Sequence, residues 1–412
     1  MKKRVVITGL GILVSNGKGK DEFWKSLEEG TVGYKPVTLF DPAEFRVNIA
    51  GEVSDFDAKT YMGIKGLRNL DRSTKLIVSA AKLAIADSQF IITDDNTDDV
   101  GVSVGTTLGS IKSIAEFDEV TLREGPRYVN PALFPNTVIN SPASQISIWQ
   151  NIQGFNTTIS TGFTASLDAM SYSYDFIQYG RAKVIYAGTV EEMCKQTFFG
   201  FYTLKFMSGS KEGEPFINCP FDKRRNGITF GEGACIIAME DYEHAKNRNA
   251  PIMAEVLGFG TCFDPFRINK YNPRGTGLIQ SIKNTLENCG LGITDIDYIC
   301  ANANSTVAAD KIETLAIKEV FGQQAYKIPV SSIKSMTGEC YSASGAFAAA
   351  ASLGALNRNF IPPTVNYKER DPDCDLDYVP NKSRKANLKN ILVITFGPNG
   401  NNTCMVLRKF IP

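Results

Sequence analysis

The sequence predicts an α/β protein in which helices cover both faces of a buried sheet. Runs rich in β-branched residues alternate with helical patterns along all 412 residues. These runs are continuously apolar, which is typical of strands that are buried on both faces. Hydrophobic residues make up 43% of the chain and charged residues 21%, so the composition is that of an ordinary globular protein.

The strands and helices follow from these patterns. Eight apolar runs predict strands, at 4–8, 100–105, 183–188, 233–239, 252–258, 297–301, 391–396 and 403–408. Five segments with apolar residues at helical spacing predict helices, at 73–89, 165–179, 275–289, 308–321 and 343–357. The second helix is expected to end at Gly180, because glycine tolerates the left-handed conformation that closes many helices.

The two halves of the chain follow the same order of elements. A loop of small residues opens a helix near 163–179 and again near 341–357, and a buried strand follows each helix. This rhythm predicts a duplicated fold with an N-terminal half at 1–250 and a C-terminal half at 251–412.

Composition excludes several classes of function. Lys plus Arg and Asp plus Glu both total 44, and the zero net charge argues against binding to nucleic acid or an anionic membrane. No apolar run approaches 18 residues, so no transmembrane helix is expected. Nine cysteines without a C-x-x-C pair predict reduced thiols in the cytoplasm. His244 is the single histidine, which excludes two-histidine mechanisms and histidine-rich zinc sites, so we expect neither a metal nor a cofactor.

Three segments of small and polar residues at strand ends are candidate sites. In 160–166, a strand-to-helix turn of the kind that often exposes a nucleophile has Phe163 at its centre, and phenylalanine has no nucleophilic atom. The flanking hydroxyls of Thr161, Thr164 and Ser166 are therefore expected to be helix caps.

The other two segments each have two interpretations. Residues 301–306 either hold a polar ligand or form an Asn/Ser turn. In 334–340, Lys334 and Glu339 form either a site or an ion pair.

Several spaced motifs give the chain a specific resemblance. Residues 220–227, followed by 231–233, match the pattern P-F-D-x-x-R-x-G…G-E-G of β-ketoacyl synthases, condensing enzymes of the thiolase-like superfamily. Residues 310–317 match the segment after the first catalytic histidine of that family, and 334–338 match the segment before the second. The resemblance covers essentially the whole chain. It implies a thiolase-like duplicated fold with five layers, α-β-α-β-α, and mixed sheets.

The departures from the family pattern lie at the catalytic positions. By the resemblance, the cysteine nucleophile is replaced by Phe163, the first histidine by Asn302 and the second by Glu339, whereas Lys334 is retained. The resemblance therefore implies that this chain has no catalytic residues of its own.

A synthase fold without catalytic residues resembles the chain-length factor, or ketosynthase β subunit, of type II polyketide synthases. Residues 337–345 are similar to the T-G-x-x-Y-S-x-x-G of these subunits, although many of them carry glutamine where this chain has Phe163. The resemblance implies a heterodimer with an active ketosynthase, supplied by acyl carrier protein that carries malonyl units or the growing polyketide. Aromatic and polyene products both remain open.

In such a heterodimer the far wall of the acyl tunnel would map onto 106–117 and 130–138. The candidates for setting its depth are apolar residues: Leu108, Ile111, Ile114, Phe117, Leu133 and Phe134. Core or interface packing is the alternative for each. Basic residues such as Arg68 and Arg72 either meet an acidic carrier protein or are solvated surface charges.

Two other functions remain open at this stage. One is an independent enzyme with altered chemistry at Cys340 or Glu339, and a buried cysteine that acts as a small hydrophobe is the alternative for that thiol. The other is a homodimeric binding or scaffold protein.

Overall fold

A computed structural model describes residues 2–411. Its β-strands, in chain order, are β1 Val5–Val14, β2 Gly17–Lys18, β3 Lys35–Pro36, β4 Ile49–Ala50, β5 Val100–Gly105, β6 Asn156–Ile159, β7 Val184–Glu191, β8 Gly233–Asp241, β9 Ala254–Phe263, β10 Tyr298–Cys300, β11 Val330–Ser331, β12 Phe360–Ile361, β13 Arg384–Lys385, β14 Asn390–Phe396 and β15 Asn401–Lys409. All eight predicted strands are present, with bounds that differ by several residues at some ends.

The α-helices are α1 Lys20–Glu29, α2 Ala58–Met62, α3 Arg72–Ser88, α4 Ile111–Arg123, α5 Ser141–Gln150, α6 Ala165–Gln178, α7 Lys195–Thr203, α8 Tyr242–Asn247, α9 Thr276–Cys289, α10 Val307–Phe321, α11 Lys334–Thr337 and α12 Ser344–Arg358. Short 3-10 helices lie at Thr97–Asp99, Pro126–Tyr128, Pro131–Thr137, Gly162–Thr164, Gly322–Tyr326 and Tyr341–Ala343. The five predicted helices correspond to α3, α6, α9, α10 and α12. Within residues 2–411, no helix combines the length and the apolar character that a membrane crossing needs.

One large mixed sheet runs through the molecule. Its strands follow the order β11-β10-β14-β15-β9-β1-β8-β7-β5-β6, and β2 pairs with β1 beside this path. The strands β9, β10, β11, β14 and β15 come from the C-terminal part of the chain and the others from the N-terminal part. A short antiparallel pairing of Val5–Ile7 in β1 with residues 254–256 in β9 joins the two groups.

Helices pack on both sides of each group of strands. The helices α6 and α12 contact each other and lie between the groups, with α6 on β5 and β7 and α12 on both β8 and β14. The helices α3 and α5 cover the outer face of the first group, and α9 covers the second with α10 packed beside it. The predicted five-layer thiolase-like arrangement is confirmed.

Small residues make this close packing possible. In β1, a Cβ atom at Gly9 would lie 2.4 Å from the carbonyl oxygen of Ala84, and one at Gly11 would lie 1.9 Å from that of Ala80, so only glycine lets α3 lie on this strand. In α12, a Cβ at Gly345 would lie 2.7 Å from Ser166 Oγ of α6. The N-termini of α6 and α12 are therefore held side by side at the centre of the molecule.

Candidate functional site

Phe163 lies in the 3-10 turn that leads into α6, and its side chain is buried. Its ring packs edge-to-face on Tyr341, with 4.4 Å between the ring centroids and 76° between the planes. A Cβ at Gly397 would lie 2.5 Å from Phe163 Cδ2, so the ring fills the space up to the backbone that follows β14. The position that would hold a nucleophile is occupied by a packed aromatic ring.

The flanking hydroxyls do not cap α6 as expected. Thr161 and Thr164 donate hydrogen bonds to the carboxylate of Asp168, the latter at 2.8 Å. Ser166 Oγ accepts from the backbone N–H of Ala346 at 3.1 Å and thereby ties α6 to α12. The prediction was wrong because a capping oxygen must accept a backbone N–H of the first helical turn, whereas Thr161 and Thr164 are turned towards Asp168 and Ser166 towards α12.

Lys334, Asn302 and Glu339 meet in one buried cluster. Lys334 Nζ donates to Glu339 Oε2 at 2.8 Å and to Asn302 Oδ1 at 2.8 Å. Lys334 is 4% exposed and Glu339 is 1% exposed. Of the two interpretations of Lys334 and Glu339, the structure shows the ion pair.

Three residues that sequence reasoning missed complete this cluster. Asn304 Nδ2 donates to Glu339 Oε2 at 2.9 Å, and Ser344 Oγ donates to Glu339 Oε1 at 2.6 Å. The backbone N–H of Asn302 donates to Glu313 Oε1 at 2.7 Å. Both oxygens of the Glu339 carboxylate are therefore occupied by donors, as a buried charge requires.

Cys340 lies beside this cluster with its side chain fully buried. Its Sγ donates to the carbonyl oxygen of Glu232 at 3.6 Å. Burial, together with the negative charge of Glu339, raises the pKa of the Cys340 thiol well above its usual value. A thiol held in its protonated form is a poor nucleophile.

Aromatic side chains extend from Phe163 away from the cluster. Tyr341 packs edge-to-face on Phe201 at 5.4 Å, and Phe201 lies 4.8 Å from the ring of Phe230. Tyr341 adopts a positive φ of 53°, which a bulky residue rarely does. Its ring position is therefore set by packing, and the rings of Phe163, Tyr341 and Phe201 form a continuous aromatic plug.

The six predicted tunnel residues fall into different environments. Leu108 packs against the hydrophobic cluster that contains Phe198, apart from the others. Phe117 and Leu133 line a groove of about 770 Å³ between α4, the 126–136 segment and the start of α3. Phe134 contacts Phe117, with 6.1 Å between the rings.

The helix that carries three of these residues is poorly covered. Ile111 and Phe117 are half-buried, and every residue of α4 is at least partly exposed. Ile114 is 40% exposed, and Phe134, on the neighbouring 3-10 segment, is 57% exposed. Large apolar side chains grouped on one surface mark sites of interaction.

The comparisons with known proteins agree with this architecture. Residues 2–245 match the family model for the N-terminal domain of β-ketoacyl synthases, and residues 253–368 match the model for their C-terminal domain. This chain belongs to the β-ketoacyl synthase family. Among solved structures, the ishigamide ketosynthase/chain length factor superposes with a TM-score of 0.93 at 32% identity, over 100% of both chains.

The curated relatives of this β-ketoacyl synthase family member include 3-oxoacyl-[acyl-carrier-protein] synthases and subunits of polyketide synthases. A 3-oxoacyl-[acyl-carrier-protein] synthase 2 of Coxiella burnetii is 36% identical over 99% of each chain. The ketoacyl synthase alpha subunit of the tetracenomycin polyketide synthase of Streptomyces glaucescens is 34% identical, over 99% of this chain and 97% of its own. A type II ketosynthase solved in complex with its acyl-carrier protein has a TM-score of 0.91 at 29% identity, over 100% of both chains.

The structure also shows the surroundings of Arg68 and Arg72, the two basic residues named as candidate contacts for a carrier protein. Arg72 donates to the buried carboxylate of Glu232 through Nε at 2.9 Å and to the carbonyl oxygen of Val53 at 3.0 Å. Arg72 is therefore an ion-pair partner of Glu232, and 19% of its side chain stays exposed. Both Arg68 and Arg72 line the groove beside α4.

Proposed function

We propose that this chain is the non-catalytic, chain-length-determining subunit of a ketosynthase heterodimer in type II polyketide biosynthesis. The active partner would carry out the iterative decarboxylative condensation of malonyl units that acyl carrier protein delivers. The observation that carries the proposal is the composition of the ancestral site, in which Phe163, Asn302 and Glu339 replace the three catalytic residues. Loss of one member of a cooperating catalytic unit lowers kcat by on the order of a million-fold in hydrolases.

The contacts of Phe163 and Glu339 support the proposal that this site catalyses no reaction. Phe163 offers no atom that can accept an acyl group, and its ring is packed on Tyr341, which in turn packs on Phe201. The carboxylate of Glu339 is held by Lys334, Asn304 and Ser344, so it is not free to act as a base.

The alternative enzyme at Cys340 has no support from this geometry. Its thiol is fully buried and its pKa is raised, whereas a reactive cysteine needs access and a lowered pKa. We therefore favour the subunit role over independent catalysis at Cys340 or Glu339.

The surface around α4 supports the need for a partner. Apolar residues that are exposed in the single chain are Ile114, Leu122, Tyr128, Leu133, Phe134, Val138 and Ile139. In the part of the chain that the structure describes, the large sheet ends at β6, whose outer edge pairs with no further strand. An unpaired edge and an apolar surface are the features that a tightly associated subunit would cover. We place the complex in the cytoplasm, consistent with the nine cysteines, all of which are free thiols.

The test is co-expression with an intact ketosynthase from the same source, followed by size-exclusion chromatography with mass analysis. We expect a soluble one-to-one complex that takes up acyl groups only on the partner's cysteine. The variant Phe134→Ala removes an exposed ring at the proposed interface and should weaken the complex. Ile268→Ala, which removes a side chain that is 87% exposed elsewhere, is the matched control and should not.

Each outcome has a defined meaning. A homodimer that ignores the ketosynthase would contradict the proposal and favour the scaffold function. Acyl uptake on this chain would contradict it in favour of an independent enzyme.

A further inference from the structure

Glu191, the last residue of β7, joins two segments that are far apart in sequence. Its carboxylate is fully buried. Oε1 accepts the backbone N–H of Thr107 at 2.7 Å and the hydroxyl of Ser342, and Oε2 accepts the N–H of Leu108 at 3.2 Å. The Glu191 side chain therefore holds the 106–110 turn to the 3-10 turn Tyr341–Ala343, which leads into α12.

The 106–110 turn leads directly into α4. Gly109 has a φ of +54° and donates its N–H to Thr106 Oγ1 at 3.2 Å, so the chain turns sharply here. Thr107 Oγ1 accepts the backbone N–H of Gly162 at 3.1 Å. The turn is thus fixed by Glu191 on one side and by the residue before Phe163 on the other.

Ser342 connects the same carboxylate to the aromatic plug. It follows Tyr341, whose ring packs on Phe163, and its side chain is fully buried. Buried hydrogen-bonding groups are costly to leave without partners, so the Glu191 carboxylate has few alternative positions. We call Glu191 with Thr107, Leu108 and Ser342 the Glu191 clamp.

We infer that Glu191 is a positioning residue for chain length, because its clamp fixes where α4 begins relative to the aromatic plug of Phe163, Tyr341 and Phe201. Every residue of α4 is at least partly exposed, and the helix is placed by its first turn together with its contacts to α7 and to the 3-10 helices of the 126–137 segment. A shift of that turn would move Phe117 and change the depth of the groove that Phe117 lines. This inference rests on the proposed function.

The first measurement is hydrogen exchange in the purified heterodimer. In Glu191→Ala we expect the amides of Thr107 and Leu108 to exchange at least about tenfold faster, since they lose their acceptor. In Glu191→Gln one acceptor oxygen remains for Thr107 and Ser342, whereas an NH2 group replaces the oxygen that accepts from Leu108, so we expect only the Leu108 amide to exchange faster. Glu240→Ala is the control, because it removes another fully buried carboxyl, whose hydrogen bonds go to Thr8, His244 and Arg248 instead.

The second measurement is the distribution of product lengths. Glu191→Ala should reduce the share of the main product in favour of other lengths, Glu191→Gln should do so by a smaller amount, and Glu240→Ala should give the wild-type distribution. A heterodimer of Glu191→Ala with the wild-type distribution overturns the inference. Failure of the wild-type chain to form a complex overturns the proposed function instead, and the exchange rates in the chain alone still test the clamp.

Two milder variants keep the inference testable if Glu191→Ala does not fold. Ser342→Ala removes the hydroxyl that the carboxylate accepts, and Thr107→Val removes the oxygen that accepts from Gly162. Both should shift the product distribution in the same direction as Glu191→Ala, by a smaller amount. A wild-type distribution in both would overturn the inference.

Discussion

Lys334 and Glu339 form an ion pair with 2.8 Å between Nζ and Oε2, and neither side chain is more than 5% exposed. Two charges in this environment have lost their hydration and depend on each other and on the surrounding donors and acceptors. Glu339 is the residue that the family resemblance aligns with the second catalytic histidine, and in this chain it is a paired carboxylate.

Removal of Glu339 should therefore be strongly destabilising. Glu339→Ala leaves the ammonium of Lys334 buried without its counter-charge, and we expect the free energy of unfolding in urea to fall by about 3–5 kcal/mol. Lys334→Met combined with Glu339→Leu should cost less, because no charge remains in the pocket. Glu29→Ala removes an exposed partner, 3.9 Å from Lys25, and should cost less than about 1 kcal/mol. Equal losses for Glu339→Ala and Glu29→Ala would contradict a buried pair.

The aromatic plug should respond to truncation as a packed core does. Phe163→Ala leaves a cavity beside Tyr341, and we expect a loss of about 3–5 kcal/mol in urea unfolding. Phe134→Ala truncates a ring that is 57% exposed and should cost much less in the isolated chain. A Phe163→Ala variant that is as stable as the wild type would contradict tight packing of this ring against Tyr341.

A nucleophile alone should not restore chemistry. Phe163→Cys places a thiol at the ancestral position, but positions 302 and 339 offer an amide and a paired carboxylate where the family has imidazoles. We expect no acyl-enzyme in intact mass spectra after incubation with acyl carrier protein, with an active ketosynthase as the positive control. Acyl loading of this variant would show that the site keeps more catalytic capacity than its residues suggest.

The sequence predicted the central strands well because they are continuously apolar. The strand at 4–8 was predicted too short. In the structure β1 continues through Gly9 and Gly11 to Val14, and these glycines let α3 pack on it. The helix α4 was not predicted, although Ile111, Ile114, Phe117 and Val120 recur at helical spacing.

The site was only partly predictable for a geometric reason. Asn302 and Lys334 follow two parallel neighbours, β10 and β11, in which Cys300 lies opposite Ser331. That register brings the two side chains together. The two residues lie far apart in the sequence, which gives no sign of this contact. The family resemblance supplied the positions, and the contacts with Asn304 and Ser344 required the structure. The division into halves at residue 250 stays a prediction.

Groove depth should control product length in the heterodimer. Phe117→Ala and Leu133→Ala enlarge the groove beside α4, so the main product is expected to become longer. Ile268→Ala serves as the control and should leave the product unchanged. Product masses from the reconstituted complex provide the measurement. An unchanged main product in both groove variants would assign these residues to packing rather than to chain length.

Burial of carboxyl groups should make the protein less stable as pH rises. Desolvation, reinforced by the charge of Asp71, raises the pKa of Glu192 to about 8, and the unfolded value lies near 4.5. Between these values the folded state holds a proton that the unfolded state has lost, so this group's contribution to stability falls from pH 5 to pH 8. Glu192→Gln removes that difference, and its free energy of unfolding should fall less steeply, by up to about 1.4 kcal/mol per pH unit. Urea unfolding at pH 5, 6.5 and 8 measures how the free energy of unfolding changes with pH, with Glu29→Gln as an exposed control. Parallel slopes for Glu192→Gln and the wild type would contradict a raised pKa of Glu192.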